Sequence, residues 1–203
     1  WFFHTGPATE LPNCFMDGGA ADAALIRQGE WWRLITALSL HADLAHVTGN
    51  VVAAGVFIYA LGTLIGPGAA LLLTLSTGIS GNFAVAMTAE LPHVAVGAST
   101  ATFGACGCLV AVQAWGKIRQ GGTLRTLWHR AWVVLGAGLA FLVVTGTGKQ
   151  ADVMAHLYGF LSGLVLGSLV AQSRGMASRT VLQAGAAACA VLIVTVAWLY
   201  ALR

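Results

Sequence analysis

The sequence predicts an all-α protein, a polytopic bundle of transmembrane helices, on three observations. Apolar and aromatic residues make up 58% of the 203, and 26 Gly bring that share to about 70%, against roughly 45–50% in soluble domains. Lys and Arg number 10 and Asp and Glu 7, only 8% of the chain, too few for a soluble surface. The charge-free runs are continuous rather than alternating, which favours helices over a β-barrel, the two structures that satisfy their backbone in lipid. Such a composition excludes a cytosolic globular enzyme, a disordered chain and a nucleic-acid binder with its basic stripe.

The elements follow from the gaps between charges. No Asp, Glu, Lys or Arg occurs in 44–89, 91–116, 131–148, 153–173 or 180–202. Each gap accommodates a helix of about 20 residues, enough to cross roughly 30 Å of hydrocarbon. The first holds two, because the run from Gly62 to Gly68 is rich in turn formers. Six spans are expected, at 45–61, 69–89, 97–115, 131–147, 153–172 and 180–201. Ahead of them, residues 1–43 form an outer, interfacial segment, with Trp31 and Trp32 in an aromatic belt and Arg33 reaching lipid headgroups. Trp1-Phe2-Phe3 reads as the tail of a further helix, so the chain is expected to start one helix late. Residues 44–173 form a helical core, and 174–203 a cytoplasmic loop with an additional helix.

Orientation follows from the basic residues. Lys117, Arg119, Arg125, Arg130, Arg174 and Arg179 fall on one side, which the positive-inside rule makes cytoplasmic. The segment before the first span is then extracytoplasmic.

Polar groups inside a span are costly and are functional candidates. His46 and Asn50 are four apart and share a helix face; Ser99 opens the third span and His156 lies about a turn into the fifth. All lie roughly 5–10 Å below the outer surface at 1.5 Å per residue, the common depth that one site requires. Gly159, Gly163 and Gly167 repeat every four residues on the face of His156, with Gly104 and Gly107 below Ser99. Such spacing permits close helix crossing. Alone, a serine in a transmembrane helix ordinarily bonds the carbonyl four residues back, and Asn82 and His93 read as packing and loop residues.

Taken together these residues resemble a known family. His41-Ala-Asp-Leu-Ala-His46-Val-Thr-Gly-Asn50 is similar to the His-x4-His-x3-Asn motif of rhomboid intramembrane serine proteases. Gly97-Ala98-Ser99-Thr100 resembles their Gly-x-Ser-Gly nucleophile motif, with Thr100 for the second Gly, and Ala155-His156-Leu-Tyr-Gly159 their general-base motif. Glu30-Trp31-Trp32-Arg33 and Ser80-Gly81 resemble further family elements. The resemblance implies an intramembrane serine endopeptidase of bacterial type, with Ser99 as nucleophile and His156 as general base and acid. Oxyanion donors would be Asn50, His46 and the Ser99 backbone amide, and Phe103 would stack under the histidine. Gly97, Gly159, Gly163 and His41 would support the site, and Thr100 would add bulk beside Ser99. Asp152, one turn above His156, is expected to face the headgroups rather than complete a triad.

No cofactor and no metal are expected, and the partners are the lipid bilayer and single-pass transmembrane substrates cut near the outer face of a bacterial inner membrane. Competing readings are a non-catalytic rhomboid-like chaperone, a small-solute transporter, and a metal site on His41, Asp43, His46 and His156. The last lacks the His-Glu-x-x-His spacing of intramembrane metalloproteases.

Overall fold

The computed structural model describes residues 14–121, 152–172 and 179–203. Short helices α1 (Cys14–Gly19), α2 (Ala23–Arg27) and α3 (Arg33–Thr36) build the segment before the membrane-spanning part, with strand β1 (Ala21–Asp22) between α1 and α2. Five long helices follow: α4 (Leu44–Ile65), α5 (Pro67–Thr88), α6 (Ser99–Arg119), α7 (Val153–Ala171) and α8 (Thr180–Ala201). Strand β2 (Val94–Ala95), just ahead of α6, pairs antiparallel with β1 in the register Ala21–Ala95. Among the described residues the protein is all-α apart from this ladder.

Among the described residues, four helices, α4, α5, α7 and α8, are long and apolar enough to cross a membrane. Their exposed positions are large aliphatics, such as Val51, Val52 and Val56 on α4 and Val181, Val191 and Leu192 on α8, as lipid contact requires. Helix α6 is equally long but buried around its circumference from Thr100 to Leu109, a central helix rather than a lipid-facing one. The span expected at 131–147, with Arg125, Arg130 and Arg174, lies outside the described residues.

Two expectations are corrected. The break in the first charge-free run is not a seven-residue turn: α4 continues to Ile65 and α5 starts at Pro67, leaving Gly66 alone, at φ +92°, to reverse the chain. Proline at the first helical position needs no N–H partner, so the reversal can be this tight. Arg33 does not reach the headgroups. It is 6% exposed, paired through Nε with Glu30 at 2.6 Å and donating from Nη1 to the Ala20 carbonyl at 3.0 Å. A guanidinium so buried persists only with such partners, and here it ties α3 to the residue before β1.

The segment before α4 is further fastened to α5 and α8. Arg27 donates from Nε and Nη2 to the Ala86 and Ala89 carbonyls, both at 2.6 Å, covering carbonyls that the end of α5 leaves free. Asn82 donates to Leu34 O at 2.9 Å, the packing role expected of it. Trp32 stacks on Tyr200 of α8, and Trp198 donates to Ser39 Oγ. At the opposite end of α8, Gln183 serves the Gly66 reversal, accepting from Ala69 N and donating to Ile65 O.

Candidate active site

The candidate residues gather at one end of the bundle, within about two helical turns of the starts of α4, α6 and α7. Asp43 caps α4, its carboxylate accepting from His46 N at 2.7 Å, and thereby fixes where His46 and Asn50 project. Gly97 turns the chain into α6 at φ +130°, a conformation L side chains rarely adopt. A Cβ there would lie 2.7 Å from the His46 ring and 3.6 Å from Asn50 Nδ2, so the imidazole and the amide converge on the turn that carries Ser99.

The turn is held from outside. Gly97 N donates to Ala37 O at 2.9 Å, and Ala98 N makes a long, 3.4 Å bond to His41 Nε2. Burial, the neighbouring His46 and an opposing backbone bond to Ser39 together leave the His41 pKa below its ordinary value, which favours the neutral ring that can accept. His41 and His46 meet edge to face at 5.1 Å. Ser99 is half-buried as the first residue of α6.

His156 is 5% exposed and stacks on Phe103, ring centroids 4.5 Å apart at 23°. The expected contact below the histidine is thus present. Its Nδ1 has no hydrogen-bond partner among the described residues, and neither has Asn50 Nδ2 on a side chain 4% exposed. Each such group costs about 1–3 kcal/mol, and unsatisfied buried groups call for an explanation in function.

Helices α6 and α7 approach as closely as their glycines allow. A methyl at Gly159 would overlap the Thr100 carbonyl, one at Gly163 the Gly104 carbonyl, and one at Gly107 the Phe160 carbonyl. At Gly167 it would come within 2.7 Å of the Cys108 Cα. The glycine seam expected from spacing is a backbone-to-backbone contact running inward from Ser99 and His156. Thr100 is accommodated in it: its Cγ2 sits where Gly81 and Gly159 have no side chains, so the extra bulk points away into a seat that α5 and α7 provide.

Asp152 departs from expectation. It does not face the headgroups: Oδ1 accepts from Ala155 N at 2.9 Å and caps α7, while Oδ2 meets His93 Nε2 at 2.9 Å. Both oxygens are engaged away from the free Nδ1 of His156. Reasoning from sequence missed this pair, although an Asp three residues before Ala155 is an N-cap signal. It also missed Gln183, a strongly polar residue in a charge-free run.

Comparison with known proteins completes the description. The Rhomboid domain model matches residues 28–173. The rhomboid-family protein YdcA of Bacillus subtilis is 33% identical over 150 residues, 73% of this chain and 72% of that protein. Rhomboid protease GluP of Bacillus subtilis is 33% identical over 154 residues, 73% of this chain but 29% of GluP. The human Inactive rhomboid protein 2 is 33% identical over 138 residues, 68% of this chain and 15% of its own length. The fold, the gathered polar residues and a domain match over most of its length establish that the chain belongs to the rhomboid family.

Proposed function

We propose that the protein is an intramembrane serine endopeptidase working through Ser99 and His156. Family membership and protease-named relatives support intramembrane proteolysis. The observation that carries the finer reading is the buried imidazole of His156, stacked on Phe103, with Nδ1 unpartnered, on a helix whose Gly159 touches the residue after Ser99. In the reaction His156 takes the Ser99 hydroxyl proton as the oxygen attacks the scissile carbonyl. The imidazolium then gives that proton to the leaving amine, and a water repeats the sequence on the acyl-enzyme. Asn50 Nδ2, His46 and the Ser99 amide would stabilise the oxyanion; an amide with no acceptor among the described residues suits that task. Asp152 is committed elsewhere, so the pair works as a dyad, without a buried carboxylate whose desolvation is costly.

The substrate class is a single-pass transmembrane protein, cut near the extracytoplasmic face of a bacterial inner membrane, with residues 44–173 as the catalytic core. The decisive experiment is labelling with a fluorophosphonate. Wild type should be modified at Ser99 and lose cleavage of a model transmembrane substrate, and chelators should have no effect. Absence of labelling together with absence of cleavage would favour a non-catalytic reading, which a relative named inactive makes the natural alternative.

A further inference from the structure

The glycine seam aligns α6 and α7 from Thr100 and Gly159 inward, yet Ser99 and His156 lie at its outer margin. Outward of the seam, Ser99 hangs on the 89–98 connection, and His156 sits in the first turn of α7, just past the residues whose backbone N–H groups lack helical partners. A side-chain bond joins these two segments, His93 Nε2 to Asp152 Oδ2 at 2.9 Å.

Each residue of the pair is anchored on its own side. The His93 carbonyl accepts from Ala23 N at 3.0 Å, and the next two residues form β2 against β1, so His93 is fixed to the outer segment. Asp152 caps α7 through Ala155 N, and its carbonyl accepts from His156 N at 3.1 Å. The pair is partly shielded, with side chains 27% and 18% exposed, beside a cavity of about 10 Å³ bordered by Asn82 and Ala155. That cavity is about the size of one water.

We propose that His93 and Asp152 form an outer latch that holds the Ser99 turn in register with the His156 helix, making both positioning residues for the reaction. The inference rests on the assignment of Ser99 and His156 above. Proton transfer requires heavy atoms within hydrogen-bond reach, and a displacement of about 1 Å costs on the order of 100-fold in rate. A latch between the two carriers acts on that distance while leaving substrate binding largely alone.

The test uses the full chain in proteoliposomes, with a fluorogenic transmembrane peptide and fluorophosphonate labelling. H93A should lower kcat about 10–100-fold with KM within about 2-fold, and slow Ser99 labelling by a similar factor. H93Q keeps an N–H donor and should recover to within about 3-fold of wild type. The double variant H93A/D152A should be no slower than the slower single variant, as coupled residues are. An unchanged kcat in H93A, additive losses in the double variant, or a loss that H93Q fails to recover overturns the latch. S99A separates the two levels: cleavage that survives it overturns the dyad and the latch together, whereas silencing by S99A with an unaffected H93A overturns the latch alone.

Discussion

Ser99 is half-buried at a helix start while His156 is enclosed, and the difference in surroundings sets what each substitution should do. Ser99→Ala removes a hydroxyl and leaves the packing intact, so cleavage should vanish with the thermal midpoint unchanged. His156→Ala should abolish cleavage as well, but it also empties a space over Phe103 and should cost about 2–4 kcal/mol by analogy with other large buried side chains. Asn50→Ala deletes a donor that has no partner among the described residues. Stability should therefore hold or rise slightly while kcat falls roughly 10–1,000-fold. A stability loss with normal kcat would show Asn50 to be structural.

At the scale of elements, backbone approaches backbone at the α6–α7 crossing and also, beside the α4–α5 reversal, between Gly68 of α5 and Gln183 of α8. Gly163→Ala forces a methyl into the Gly104 carbonyl and should destabilise the protein by about 1–3 kcal/mol, as overpacking does. Because the crossing lies under the candidate dyad, activity in the surviving fold should also drop, read as specific activity against thermal midpoint. Gln183→Leu leaves the Ala69 amide and the Ile65 carbonyl without their side-chain partner. Two buried groups at about 1–3 kcal/mol each make this the more damaging of the two changes for stability, by denaturant titration in detergent, although it is remote from Ser99.

The whole molecule has a direction in the membrane as well as a shape. With the basic residues inside, Cys14, which is exposed, should react with an impermeant maleimide from the extracytoplasmic side in intact cells. A cysteine introduced at Lys117, at the far end of α6, should react only after permeabilisation, and the reverse pattern would invert the orientation. At this scale, too, it is clear what could be read directly from residue order. Four lipid-crossing helices were legible because burial in hydrocarbon demands about 20 uncharged residues, a requirement written along the chain itself. The candidate site was legible because polar groups in such runs are conspicuous and because their spacing matches a family pattern. The glycine seam was legible because small residues four apart lie on one helix face.

Tertiary structure alone decided the rest, wherever a partner lies far away in sequence. Arg33 looked like a headgroup anchor, and only the fold brings the Ala20 carbonyl to it. Asp152 looked headgroup-facing until His93, 59 residues earlier, was placed beside it. Thr100 looked like added bulk beside Ser99 until Gly81 and Gly159, from two other helices, supplied its seat. Composition and periodicity report what a residue needs from its surroundings, lipid or water, because that need is local. Which group meets a given hydrogen bond or fills a given gap depends on helix crossings and connection paths, and those exist only once the chain is packed.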